Sequence, residues 1–397
     1  MAKASVTRER RRKGSNGSSS PEGDEKVSPS DIRPEPPGLK SPGLKPAGLT
    51  FEPQFAERIW GGTTLERFGK LLPGGKKIGE SWEISDVPGK PSRVTRGDWS
   101  QQTLRDLVRR QAAELLGDAS QGPEHPDGGP QFPLLIKLLD AREDLSIQVH
   151  PSDADLLRTG LRLSGKTEAW IILDADPGAR IIHGLAPGVR KEDVFERVRA
   201  LHGSALPPAD EERLFRWEGV RRGDVVFVPA GTIHAVGKGI LLLEVQQTSD
   251  ITYRIYDWGR LEKDGKPRDL HLSEAQGVSD APHVRCPFQK IGPLAGQAGF
   301  QSLIDRSDCD KLQIEIGSLG SMAVGGKTLK TSTASKLGAG FQILSPFQGE
   351  IALKTASGEP ITLGPGQFAL VPAIAGEYEI SASAPAQVLR FAGGKLR

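Results

Sequence analysis

Leu134-Leu135-Ile136-Lys137-Leu138-Leu139, followed after a polar break at Asp140 to Asp144 by Leu145-Ser146-Ile147-Gln148-Val149-His150-Pro151, carries the clearest pattern in the chain. The first segment is an apolar run and the second alternates with period two, so together they predict two strands joined by a turn. Side chains two apart on a strand share a face, which puts Ser146, Gln148 and His150 together and turns Leu145, Ile147 and Val149 the other way. Gly165-Lys166-Thr167-Glu168 then leads into the strand-like Ala169-Trp170-Ile171-Ile172-Leu173. Farther on, Gly223 to Pro229 runs into Gly231 and a second histidine, His234, just past a tight turn. A lone histidine in an apolar setting is ordinarily a hydrogen-bonded structural residue. Two imidazoles, a carboxylate and an amide oxygen at strand ends are different, because they form a mixed N/O donor set for a metal with room for water or substrate.

Glycine, five residues, proline, one residue, glycine, two residues, histidine is the spacing of Gly223, Pro229, Gly231 and His234, and it resembles the second signature of the cupin superfamily. Gln148-Val149-His150 with Glu168 resembles the first, with Gln148 where many cupins have histidine. Gly79-Glu80-Ser81-Trp82-Glu83, Leu145 to Pro151, Gly165 to Glu168 and Asp250-Ile251-Thr252-Tyr253-Arg254 are similar, in that order, to type I phosphomannose isomerases of the short bacterial form, over about residues 50 to 395. The resemblance implies a mainly β chain of two cupin jelly-roll barrels with a small helical component. It also implies mannose-6-phosphate isomerase activity, with one Zn2+ per chain held by Gln148, His150, Glu168 and His234. By the same match Lys137 and Ser146 contact the sugar phosphate, Arg254 faces the substrate near C1 and C2, and Lys166, Glu244 and Asp250 are candidates for proton transfer. Glu244 has its own signal, since a carboxylate inside Ile240-Leu241-Leu242-Leu243-Glu244-Val245 is costly without a partner. It either pairs with Arg254 structurally or faces substrate. One departure is Val236, where the fuller eukaryotic form has tyrosine; the long helical insertion of that form is also missing, so the entrance to the site differs.

The rest of the chain sets the frame. With 52 basic and 50 acidic side chains, a net charge of +2, nothing marks nucleic acid or a charged membrane as a partner. No apolar run approaches a membrane span and the N-terminus has no signal-peptide core, so the expectation is a soluble cytoplasmic protein acting on a small molecule. Cys286 and Cys309 are too few for a disulfide framework or a thiolate zinc site. Residues 1–47 combine Ser, Pro, Gly and charge, include the basic cluster Arg8 to Lys13, and predict a disordered extension. Leu104, Leu107, Val108, Ala112, Leu115 and Leu116 share one helix face, with Thr103 as cap and Gly117 as stop. A second helix is expected near Lys191 to His202, then a polar break at Leu206 to Glu212. His125, His183 and His202 fall outside the constellation and read as structural or surface residues.

Gly366-Gln367-Phe368-Ala369-Leu370-Val371-Pro372-Ala373 echoes Gly223 to Ala230, glycine and proline again six apart. The place of His234 falls on Glu377, and no histidine follows His283. The expected division is therefore an extension (1–47), a metal-binding cupin domain with helical insertions (48–285) and a metal-free jelly-roll domain (286–397). Two other functions fit a cupin, a metal-containing sugar-binding or regulatory protein without turnover, and an oxygen-using iron enzyme. The presence of Lys166, Arg254 and the phosphate-binding pair argues against both.

Overall fold

The computed structural model describes residues 43–121, 124–201, 204–262, 264–280, 288–293, 299–320, 328–335 and 338–393. The basic cluster, most of the expected extension, His202, His283 and Cys286 lie outside the described residues. Leu44 and Leu49 are already in the core, so packing begins before residue 48.

A seven-stranded sheet runs in the spatial order Gln54–Gly62, Ile78–Ile84, Leu134–Ala141, Ile240–Gln247, Glu168–Ala175, Asp224–Val228, Phe288–Lys290. A five-stranded sheet follows the order Tyr253–Tyr256, Ile147–Val149, His234–Val236, Arg180–Leu185, Phe215–Gly219. Leu139, Trp170, Ile172, Val226 and Leu242 of the large sheet form one apolar cluster with Ile181 and Val236 of the small one, so the two are layers of a sandwich. The outer face of the small sheet, with Ile147, Val149 and Ile182, is covered by Val194, Phe195 and Val198 of the helix Lys191–Ala200.

The C-terminal half repeats the plan. Gly299–Ile304, Leu312–Leu319, Ala386–Gly393, Gln342–Gln348 and Ala369–Val371 form one sheet, and Thr328–Ser332, Glu377–Ser381, Ile351–Thr355 and Ile361–Leu363 form the other. Ile136, Leu138, Ile171 and Leu243 on the outer face of the seven-stranded sheet share a cluster with Ile314, Ile316, Leu389 and Phe391, which joins the halves back to back. A fully buried Leu, Ile or Phe contributes about 1.5–3 kcal/mol against about 0–1 for an exposed ion pair, so these layers, not surface charges, hold the fold.

Three expectations change. The sheets are open, not closed jelly-roll barrels, because each sandwich ends on edge strands that do not pair across. The strands around residues 134–150 are not hairpin partners; Leu134–Ala141 sits in the large sheet and Ile147–Val149 in the small one. The break at 206–212 holds the helix Pro208–Leu214, too short to show a period, with proline at its start and Asp210 and Glu211 in its first turn. The helix Leu104–Leu116 has its predicted cap, Thr103 Oγ1 accepting from Asp106 N at 3.1 Å and Asp106 returning a bond to Thr103 N. Among the described residues no helix is long and apolar enough to cross a membrane.

Candidate metal centre and active site

The inner faces of the first sandwich change character along their length. In Leu134–Ala141 the inward positions Leu139 and Ala141 are apolar, and one step along the same face stands Lys137. Its partner across the ladder, Glu244, lies beyond the inward Ile240 and Leu242, and Glu168 precedes the inward Trp170 and Ile172. From the small sheet Arg254, Gln148 and His234 lie side by side in register. The polar residues therefore gather where the apolar filling stops.

His150, Glu168 and His234 are 1%, 0% and 1% exposed, and their ligand atoms lie within 4.8 Å of one another. His150 Nδ1 is 2.9 Å from Ile251 O and His234 Nδ1 is 2.8 Å from Thr232 O, so each Nδ1 donates to a carbonyl and each Nε2 keeps its lone pair for the interior. Burial, with the charge of Lys166, lowers the His150 pKa; burial, with His150, takes His234 to about 3. Both rings are neutral, as ligands must be. Burial alone would raise the Glu168 carboxyl, but Lys166, His150 and His234 together hold it well below the usual range. Glu168 Oε1 lies 2.6 Å from Lys166 Nζ and 3.0 Å from His150 Nε2 without hydrogen-bond geometry to either, leaving a buried anionic oxygen without a directional partner among the described residues. Such an oxygen, grouped with two imidazole nitrogens that carry lone pairs, fits a divalent cation. Gln148 turns its amide nitrogen to the imidazoles, 3.5 Å from His150 Nε2 and 3.3 Å from His234 Nε2, with its oxygen 3.2 Å from Ser146 Oγ. A half-turn of the amide exchanges the two and supplies the fourth donor.

Gln148 and Lys166, which lie against this group, also line a neighbouring cavity of about 1020 Å³, together with Lys137, Ser146, Glu244 and Arg254 among others; His150, Glu168 and His234 themselves do not line it. It is roomy enough for a small polar ligand. Lys137 Nζ stands 3.7 Å from Glu244 and 3.6 Å from Asp250, and 4.5 Å above the centre of the Trp82 ring. Of the two alternatives for Glu244, the pair with Arg254 does not form; Glu244 meets Lys137 and lines the cavity, and Arg254 donates to Asp269 O at 2.9 Å with its buried Nε unpartnered among the described residues. Burial and the charge of Glu168 push the Glu244 carboxyl up to about 7, against Lys166 and Lys137. For Asp250, burial raises the pKa but Lys137, Lys166 and Lys90 bring it below its ordinary value.

Sequence reasoning quoted Glu80 and Trp82 in a family-like segment but did not single out Arg58 or Lys90, which meet them here. Lys90 lies 3.3 Å from Asp250 and 4.3 Å over Trp82, and Glu80 receives Arg58 at 3.0 Å and the Trp82 indole at 2.8 Å. The signal was in the glycines, since a Cβ on Gly61 would stand 2.4 Å from Gly79 N, bringing the Arg58–Trp60 and Glu80–Trp82 segments together. His125 is buried and 3.5 Å from Asp127, whereas His183 stands next to the site, paired in register with His234, and turns its Nε2 to Phe227 O at 2.9 Å, outside the candidate ligand group. Cys309 is a buried free thiol.

Residues 49–160 match the model of the phosphomannose isomerase type I catalytic domain. The mannose-6-phosphate isomerase ManA of Bacillus subtilis is 40% identical over 238 residues, 59% of this chain and 69% of that protein. A mannose-6-phosphate isomerase of Streptococcus mutans is 38% identical over 231 residues, 58% of this chain and 67% of that protein. The crystal structure of the mannose 6-phosphate isomerase from Bacillus subtilis superposes with a TM-score of 0.67 at 30% identity, covering 87% of this chain and 99% of that one. With a buried Glu/His/His group beside a polar cavity and this degree of kinship, the chain belongs to the type I phosphomannose isomerases, a family of aldose–ketose isomerases.

Proposed function

We propose that the protein interconverts mannose 6-phosphate and fructose 6-phosphate, with zinc held by His150, Glu168, His234 and Gln148. The observation that carries this reading is the buried cluster of Glu168, His150 and His234, with its unpartnered Glu168 oxygen, joined through Gln148 and Lys166 to a cavity whose walls hold Lys137, Ser146 and Arg254. A divalent cation there would supply a fixed charge that polarises the substrate carbonyl. Lys137 and Ser146, both 3% exposed, offer an ammonium and a hydroxyl to a phosphate. Their place on the wall of one cavity, from the two facing sheets, suits them to hold the far end of an open-chain sugar. Arg254 presents an unpaired Nε–H to the oxygens that gain charge when the proton leaves C2. Glu244, poised near 7 and lining the cavity, suits a group that takes the proton from C2 and returns it to C1; Lys166, held charged because Glu168 and Glu244 outweigh its burial, and Asp250 serve better as electrostatic partners. In this reading residues 48–285 form the metal-bearing unit and 286–397 a metal-free one.

A coupled assay with mannose 6-phosphate, run before and after chelation, tests the proposal. Turnover that disappears with chelator and returns with Zn2+ is expected. Tight sugar-phosphate binding without turnover would instead make the protein a binding module.

A further inference from the structure

The short segment Gly165 to Glu168, which presents both Lys166 and Glu168, is fastened through the backbone N–H groups of Gly165, Lys166 and Thr167 and the Thr167 carbonyl. Lys166 N donates to Pro151 O at 3.0 Å and Gln247 N donates to Thr167 O at 3.1 Å. Thr167 N donates to Gln247 Oε1 at 3.0 Å, and Gly165 N to Asp153 Oδ1 at 2.7 Å. The Gln247 amide closes the loop by donating to that same Asp153 oxygen at 3.0 Å. One carboxylate oxygen and one amide therefore span both ends of the segment. Gly165 lies so flat on the chain below that a Cβ would stand 2.5 Å from Asp153 N and 2.6 Å from Ser152 C. The other Asp153 oxygen is 3.1 Å from Lys311 Nζ, which comes from the C-terminal sandwich. Neither Asp153 nor Gln247 lines the cavity.

Resting on the isomerase reading, we propose that Asp153 and Gln247 are positioning residues for Lys166 and Glu168. They set the separations on which the site depends, Lys166 Nζ to Glu168 Oε1 at 2.6 Å and Lys166 Nζ to His150 Nε2 at 3.3 Å. Gln247, 5% exposed, has no alternative partner in water, so its bonds to the segment are made continuously. Lys311 contributes less, because its side chain and that of Asp153 are 24% and 41% exposed and such pairs are weak. Through it the metal-free half nevertheless touches the support of the site.

The test compares Asp153→Ala, Asp153→Asn, Gln247→Leu and Lys311→Met by chelator competition for Zn2+, by the visible spectrum of the Co2+-loaded protein, and by steady-state kinetics. Asp153→Ala and Gln247→Leu should each lose about tenfold in metal affinity and in kcat, with a shifted cobalt band and little change in KM. Asp153→Asn keeps an acceptor for Gly165 N and should restore most of the loss, while Lys311→Met stays within about twofold of the parent. Wild-type metal affinity, cobalt spectrum and kcat in soluble Asp153→Ala would overturn the proposal, even if its Tm fell. Should Gln247→Leu not fold, the comparison of Ala with Asn at half-exposed Asp153 decides alone. The affinity and the spectrum are read without turnover, so a wild-type protein that does not isomerise mannose 6-phosphate would sink the functional reading and leave this test standing.

Discussion

The two sandwiches share a turn and differ in what it surrounds. Gly223 and Gly366 both take left-handed backbone, φ +88° and +81°, and each is followed six residues on by proline. Each interior also buries a glutamate. In the C-terminal sandwich Glu315 accepts from Arg390 Nε at 2.6 Å; Arg390 also donates to Thr331 Oγ1 at 2.8 Å and lies 3.7 Å over the Phe300 ring. Tyr378 and Gln342 bond beside them. In the N-terminal sandwich Glu168 has Lys166 close by, yet its Oε1 stays without a directional bond, with His150 Nε2 3.0 Å from that oxygen and His234 Nε2 3.8 Å from the other. A buried charge must be compensated. One half does so internally and gains only stability; the other leaves donors over, and those donors can hold a metal. Glu377, which takes the sequence place of His234, is exposed, so the second turn delivers nothing to its interior.

Breaking the metal side should have the largest effect. Glu168→Gln removes the anionic donor, and both metal affinity and turnover should fall by more than about a hundredfold while circular dichroism stays unchanged. In a His150→Ala, His234→Ala double variant, Zn2+ titration should show no tight site anywhere. One equivalent of tightly held zinc in that variant would place a metal in the second half and erase the contrast.

Breaking the other side should leave the chemistry alone. Arg390→Met strands a buried glutamate and should cost about 3–5 kcal/mol in denaturant unfolding, without loss of metal content or of activity per folded molecule. Replacing Glu315 and Arg390 together by Met should recover most of that stability. A double variant as unstable as the single one would mean that the pair contributes more than mutual neutralisation.

This division was partly legible in the sequence. Gln148, His150, Glu168 and His234 announced themselves because strand period and the glycine and proline of one turn fix where side chains two and three apart must go. That the C-terminal half offers no imidazole donor is read in the same way, from Glu377 in the place of His234 and the lack of histidine after His283. Arg390 with Glu315, Asp153 with Gln247, and Lys90 over Trp82 were not, because each joins residues distant in the chain whose meeting depends on sheet order, which periodicity does not encode. The closed barrels failed similarly, since alternation says which face is buried but not whether edge strands pair.

Arg254 sharpens the comparison because it is the guanidinium of the active half, as Arg390 is of the inert one. Arg390 is fully paired, whereas Arg254 has a buried Nε with no partner among the described residues. Arg254→Met should therefore lower kcat by about a hundredfold, raise KM by far less and shift Tm little. A rise in KM with kcat intact would make Arg254 a phosphate clamp.

The smallest effect separates the two turns themselves. At Gly223 a Cβ would meet nothing nearer than 3.7 Å, so Gly223→Ala should cost only the left-handed backbone, about 1–2 kcal/mol. At Gly366 the same Cβ would stand 2.7 Å from Phe68 O and 2.9 Å from Phe68 Cβ, a clash with main chain on top of the same backbone term. Gly366→Ala should accordingly destabilise more than Gly223→Ala, by roughly another 1–3 kcal/mol in denaturant unfolding. The order matters more than the sizes, because it would show the C-terminal turn to be the more tightly packed of the two, held against the Thr64–Phe68 helical turn of the N-terminal half. Equal costs would mean that Phe68 yields freely, and the second turn would then be a copy of the first in packing as well as in shape.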